Sequence, residues 1–134
     1  MNYLLVKSEP SEYSYDDLEL DGSTYWDGVR NYAARKNLKD MKVGDKVLFY
    51  HSVNEKAVVG ISTVVKEFYQ DPTTEDERWV AVDLAADKKL SKPVTLSQIK
   101  SEPSLSEIAL VRQSRLSVMP LKAEAFKKIV DMSN

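Results

Sequence analysis

Apolar positions along this chain fall into short runs whose period switches between that of a strand and that of a helix. Tyr3 to Val6 is a β-favouring run that stops at Lys7-Ser8-Glu9-Pro10, where proline forbids continuation as a central strand. Ser14, with Asp17 three residues on as a capping-box analogue, predicts a short helix to Leu20 that ends at Asp21-Gly22. Thr24 to Arg30 carries a glycine and reads as irregular, the kind of loop in which binding residues collect. Asn31 is placed to cap a helix through Ala33, Ala34, Arg35 and Leu38, closing before Val43-Gly44-Asp45.

The next runs are β-branched and aromatic. Lys46 to Ser52 and Ala57 to Val65 predict two antiparallel strands joined by Val53 to Lys56, the length of a hairpin loop. After a charged, proline-bearing stretch from Tyr69 to Glu77, Trp79 to Leu84 alternates as a further strand. Leu96–Lys100 and Leu105–Leu110 predict helical turns separated by Pro103. Arg115–Met119 reads as a last strand, and Lys122–Met132 as a terminal helix with Ala125, Phe126, Ile129 and Val130 on one face. No internal repeat is found. Strands dominate, with helices packed around them, so the expected class is α+β with a mixed, curled small sheet.

Length and composition narrow this picture. The 134 residues suit one domain, and 43% hydrophobic with 30% charged residues is an ordinary globular balance. The absence of cysteine removes disulfides, thiolate metal sites and a cysteine nucleophile, and fits a reducing compartment. The N-terminal apolar run is too short for a signal peptide or a membrane span, so a soluble, cytoplasmic protein is expected. The net charge of −2 argues against general attraction to duplex DNA. Its distribution is uneven: residues 30–46 hold six Lys or Arg against two Asp, and residues 112–128 hold five against one Glu. Residues 1–21 and 71–87 each hold six acids against one base. Taken singly each run reads as a solvated face, although two basic stretches can also meet in a fold.

Few residues here carry obvious chemistry. A single histidine and scattered carboxylates give no metal spacing, so neither a metal nor another cofactor is expected, and no nucleophile elbow, Walker A loop or dinucleotide fingerprint is present. His51 and Ser52 are strand neighbours that point to opposite faces, so the plainer reading of His51 is a hydrogen-bonded strand-end histidine. Trp26 offers a flat π-face beside Asp27, Arg30 and Asn31, groups able to bond a base edge, although tryptophans more often plug a core. Trp79 faces the same choice with packing favoured. Arg112, Ser114 and Arg115, in RQSRLSV, suit a phosphate clamp and ion pairing equally.

Together, YLLVKSEP, YWDGVRNYAARKNLKDMKVGDKVLFYHS, VVGISTVVKEFYQDP, W-V-A-V-D, KPVTLSQIK and LVRQSRLSVMPL closely resemble the EVE domain family, in order and over nearly the whole chain. That family belongs to the PUA-like superfamily and is similar to YTH domains, which hold a methylated adenine of RNA in an aromatic cage. The resemblance implies a single PUA-like domain over residues 1–134, with a pocket for a modified base swung out of its RNA or DNA strand. It puts Lys7 and Ser8 at the pocket rim and matches Trp26 to the cage tryptophan, with Arg30 and Asn31 beside it. It turns His51 and Ser52 toward the same cavity, brings Arg112, Ser114 and Arg115 close, and makes Trp79 a further wall. The second and third cage aromatics of YTH domains have no counterpart that can be aligned. The implied function is nonenzymatic binding of a modified nucleobase in nucleic acid, with no membrane partner. Two alternatives are a small hydrolase of a modified nucleoside, as in ASCH-type relatives, with His51 and Lys7 as its residues, and a protein-binding adaptor using the same cleft.

Overall fold

The structure, a computed structural model, describes residues 1–53 and 55–134; within the expected hairpin loop from Val53 to Lys56, Asn54 lies outside the described residues. Six strands form one mixed sheet: β1 (Tyr3–Ser8), β2 (Ser23–Trp26), β3 (Lys46–His51), β4 (Ala57–Gln70), β5 (Val80–Thr95) and β6 (Val118–Leu121). Their order is β2-β5-β4-β3-β1-β6, with β1 and β3 parallel and every other pair antiparallel. Five helices surround the sheet: α1 (Tyr15–Asp21), α2 (Tyr32–Lys39), α3 (Leu96–Lys100), α4 (Ala109–Arg112) and α5 (Ala123–Met132). The expected α+β class with a curled sheet and short flanking helices is the fold observed.

Local chemistry accounts for most of the boundaries. The Ser14 side chain accepts from the Asp17 amide while the Asp17 carboxylate accepts from the Ser14 amide, a full capping box. Asn31 caps α2 by accepting from the Ala34 amide, and Thr95 with Gln98 forms a second capping box at α3. Four expectations are revised, the first being that the helical turn expected over Leu105–Leu110 divides into a 3-10 turn at Pro103–Leu105, with Pro103 at its first position, and α4. Residues 24–26 belong to strand β2, because Thr-Tyr-Trp is β-favouring and finds a partner in Val82–Leu84 of β5. Strand β5 runs on to Thr95, since its charged middle, with Lys88 and Lys89 opposite Ile61 and Gly60 of β4, is an exposed edge that β2 leaves uncovered. The last strand starts at Val118, because residues 113–116 turn instead, with the Leu116 amide bonded to the Gln113 carbonyl. Its Pro120 is tolerated because β6 is an edge strand.

The sheet is strongly curled. Register shifts interrupt the β3–β4 pairing once and the β4–β5 pairing four times, and such bulges bend strands and raise their twist. As a result β2, at one end, packs its Trp26 edge-on against Phe49 of β3, with ring centroids 5.4 Å apart. Helix α2 touches β4, β5 and β6, and its Asn37 amide donates to the Val118 carbonyl, so it closes one mouth of the curl. The interior holds Leu5, Leu18, Leu38, Leu48, Phe49 and Leu84, all fully buried. Tyr15 of α1 is buried among them and donates its hydroxyl to the Ile61 carbonyl. Its ring lies so close to Gly60 that a Cβ there would overlap it, which explains a glycine inside a strand. On the outer face, Phe126 packs against Tyr3 at 4.6 Å between centroids and pins α5 to β1.

Candidate functional site

The curl leaves a seam between the C-terminal end of β1 and the free edge of β2, and a cleft of about 640 Å³ occupies it. Lys7 and Ser8 line it from β1, Thr24, Tyr25 and Trp26 from β2, and Glu12 and Tyr13 from the turn before α1. The segment Asp27–Arg30 closes the far side. Trp26 is only 9% exposed, so it forms the floor of the cleft while its body belongs to the core. The two roles offered by the sequence are thus both filled by one ring.

The far wall is held by a residue that sequence reasoning passed over. Asp71, whose side chain is fully buried, accepts from the Gly28 amide at 2.8 Å, from Arg30 at 3.0 Å, and from the amide and hydroxyl of Thr73. Burial alone would raise its pKa, but hydrogen bonds from Thr73, Gly28 and Arg30 outweigh it and hold the carboxyl at about 2. Gly28 sits at φ 74°, a conformation glycine adopts without strain, and this turns the chain from β2 toward Arg30. The available signal was Asp-Pro at the end of a strand, Asp71-Pro72, a common turn-forming pair.

The lining is aromatic and acidic. Besides Trp26 it includes Tyr13 and Tyr25, two aromatics not singled out by the sequence. Burial, together with its hydrogen bond to Asp21, pushes the Tyr13 hydroxyl up to about 12, so it stays protonated and donates to that carboxylate at 2.8 Å. Glu9, Glu12 and Asp27 line the cleft without an ion-pair partner among the described residues. The cations are Arg30, paired with Asp71, and Lys7, whose pKa is lowered by burial and whose ammonium donates to the Ser114 carbonyl at 2.8 Å.

The remaining expected residues are distributed elsewhere. The Ser8 hydroxyl donates to the Tyr13 carbonyl at 2.6 Å, and the Ser8 carbonyl accepts from the Ser52 amide, so both serines tie the turn to the sheet. Ser52 does not line the cleft. His51 faces a different hollow, with Tyr15, Asp16 and Lys89. Its Nε2 accepts from the Tyr15 amide at 3.1 Å, which leaves the proton on Nδ1, donated to Glu55 at 2.9 Å. The expectation that His51 shares the Trp26 cavity is therefore corrected, because the turn from Glu9 to Tyr15 passes between them. Asn31 is spent on its cap. Arg112 pairs with Glu107, and Ser114 and Arg115 stand outside the cleft, reached only through the Lys7–Ser114 contact. Trp79 lies in the turn before β5, also outside the cleft, against Tyr32. Among the described residues no group of three His, Cys, Asp or Glu converges as metal ligands.

A family model for the EVE domain matches residues 2–132. The chain belongs to the EVE domain family. Thymocyte nuclear protein 1 of Danio rerio is 32% identical, over 97% of this chain and 71% of its own length. Among solved structures, a protein from Agrobacterium tumefaciens superposes with a TM-score of 0.98 at 39% identity, covering 100% of this chain and 94% of that one. Human THYN1 protein, solved in complex with 5-methylcytosine-containing DNA, superposes with a TM-score of 0.93 at 29% identity, covering 100% of this chain and 98% of that one. An ASCH protein from Zymomonas mobilis reaches a TM-score of 0.60 at 13% identity over 98% of this chain and 99% of that one, a likeness of fold alone.

Proposed function

We propose that this EVE domain is a nonenzymatic nucleic-acid-binding module that takes one modified nucleobase, flipped from its strand, into the seam cleft over Trp26. The observation that carries the reading is the cleft's lining: aromatic rings with unpaired carboxylates, at the place where the sheet fails to close. The cleft carboxylates Glu9, Glu12, Asp21 and Asp27, none in an ion pair among the described residues, repel phosphate, so the polyanionic backbone stays outside while an uncharged base can enter. Carboxylates accept from exocyclic amino groups, such as N4 of cytosine or N6 of adenine, so the lining favours an amino-bearing base. The human relative solved with 5-methylcytosine-containing DNA supports the same class of ligand.

The energetics are adequate for a reader. Flipping a base costs a few kcal/mol, and stacking on an aromatic ring returns about 1–3 kcal/mol per base. A methyl group filling an apolar niche adds about 1–3 kcal/mol of preference over the bare base. The nonenzymatic reading is supported by the chemistry of the hydroxyls and the histidine. Ser8 donates its proton to the Tyr13 carbonyl, and His51, engaged at both nitrogens, lies in another hollow. Lys7 and His51, the pair a hydrolase would need, line separate cavities.

The test is a binding panel of short single-stranded oligonucleotides that differ only in one central base, with cytosine, 5-methylcytosine, adenine and methylated adenine. The expected result is tighter binding of a modified base than of its parent, lost in Tyr25→Ala, with the oligonucleotide recovered at unchanged mass. Equal affinity across the panel, or recovery of a processed base, would overturn the reading.

A further inference from the structure

Beside the cleft, on the other side of Arg30, lies an aromatic and cationic surface that the cleft does not use. The Tyr32 ring stacks on Trp79 with centroids 5.3 Å apart and planes at 30°. Three guanidinium groups crowd this pair: Arg30 and Arg78 lie 5.6 and 5.9 Å from the Trp79 ring, and Arg35 lies 5.5 Å from the Tyr32 ring. Tyr32 is 58% exposed, so the stack opens to solvent.

We propose that Tyr32, Trp79, Arg35 and Arg78 form a second binding surface, which receives the phosphodiester backbone and a stacked base next to the base held in the cleft. The inference rests on the function proposed above for its geometry, since Arg30 belongs to both the cleft wall and the patch. Charge supplies the first argument. The carboxylates of the cleft exclude phosphate, so the phosphates flanking a flipped base must find cations at its rim. Asp71 and Asp76, each held ionised at about 2, balance only Arg30 and Arg78. Arg35 has no carboxylate partner among the described residues; it donates to the Arg78 carbonyl, and its Nε is buried without an acceptor. Arg35 is thus the one guanidinium of the three that no carboxylate pairs, beside a turn that also carries Glu75 and Glu77.

Preorganisation supplies the second. Asp76 fixes the Arg78 guanidinium by contacts to Nε and Nη2, and the Tyr32 hydroxyl accepts from its Nη1 at 3.2 Å. Arg78 thus braces the stack with its own donors taken, and Arg35, bonded only through Nη1, keeps Nη2 for a phosphate beside the rings. The turn itself does not need this arrangement, since backbone bonds from Asp71, Thr74 and Trp79 already close it.

The experiment uses the whole chain, an unmodified short single-stranded DNA and the same strand carrying one 5-methylcytosine, titrated at several salt concentrations. Arg35→Gln and Arg78→Gln should each weaken binding of both strands on the order of fivefold and lower the salt slope by about 0.7 per lost phosphate contact, leaving the ratio between the strands unchanged. The chain has two tryptophans, hence two indole N–H signals in a nitrogen-15 spectrum. The oligonucleotide should move that of Trp79, assigned through Trp79→Phe, whereas 5-methyl-deoxycytidine alone should move only that of Trp26. An unchanged slope in both variants, a stationary Trp79 signal, or no binding of either strand by the native protein would overturn the patch. A native protein that binds both strands equally, with slopes that fall in the variants, would sink the base-reading function and leave the patch standing.

Discussion

On one side of the turn from Glu9 to Tyr15 lies the cleft floored by Trp26; on the other lies the hollow of His51, Asp16 and Lys89. Both are built at the ends of β1 and β3, where Ser8 is in register with His51. Their chemistry differs in one respect. In the hollow His51 bridges the Tyr15 amide and Glu55, and Lys89 meets Asp16 at 2.8 Å. In the cleft Glu9, Glu12 and Asp27 have no such partners among the described residues. A titratable side chain beside a conspicuous motif is structural where its bonds are already made and available for a ligand where they are not. Residue type alone does not separate the two cases.

The largest expected effect probes the cleft floor. Trp26→Ala should cost about 3–5 kcal/mol of stability as well as binding, because the ring is core as much as wall. Tyr25→Ala, at a half-exposed ring, should leave the urea midpoint nearly unchanged and weaken base binding about tenfold or more. If both variants unfold alike, the division of the cleft into a buried floor and an exposed wall fails. Next comes the latch. Asp71→Ala removes a carboxylate with four bonds and should cost about 3 kcal/mol, with base binding lost as the Gly28–Arg30 wall loosens. The same group sets an acid limit. Its folded pKa, about 2, lies below the unfolded value, so its contribution of about 2 kcal/mol is full above about pH 5 and is lost as pH falls toward 2. In Asp71→Ala the acid branch of the stability profile should be correspondingly shallower.

Gly60→Ala tests the partition between the two hollows, since the added methyl meets the Tyr15 ring. A loss of about 1–3 kcal/mol is expected in thermal or urea denaturation. The smallest effect belongs to the closed hollow. His51→Ala should cost about 1–2 kcal/mol, through the Tyr15 amide left without its acceptor, and leave the preference for a modified base intact. A selective loss of base preference in His51→Ala would return the histidine to the binding machinery.

Much of the fold was legible in the chain. The strand runs of β1 and β3, the Ser14 and Asn31 caps and the amphipathic last helix are local signals, and each appears where expected. Strand β2 was not, because its four residues gain their strand character from pairing with β5, and no local pattern reports a partner nearly sixty residues away. The length of β5 was hidden similarly, since a charged arm alternates poorly. At the site, Trp26, Lys7, Ser8 and Arg30 were legible through motifs, and the structure brings them together. Asn31, His51 and Ser52 sit in the same motifs but make other bonds, and hydrogen-bond partners are a property of the folded chain. Tyr13 lies in none of these motifs, and Tyr25 and Asp71 lie in two of them, YWDGVRN and FYQDP, whose spacing does not separate a cleft aromatic or a buried latch from a surface tyrosine or turn aspartate.

The seam between β1 and β2 has a consequence for how such a domain could drift in what it accepts. The sheet is a split ring, and the width of its gap is the sum of the angles between β1, β3, β4, β5 and β2. Each bulge along β4 contributes to that sum, and no residue of β4 lines the cleft. A substitution that adds or removes a bulge could therefore resize the aperture without touching any residue in it, so ligand preference is heritable in the backbone of the ring as well as in its jaws.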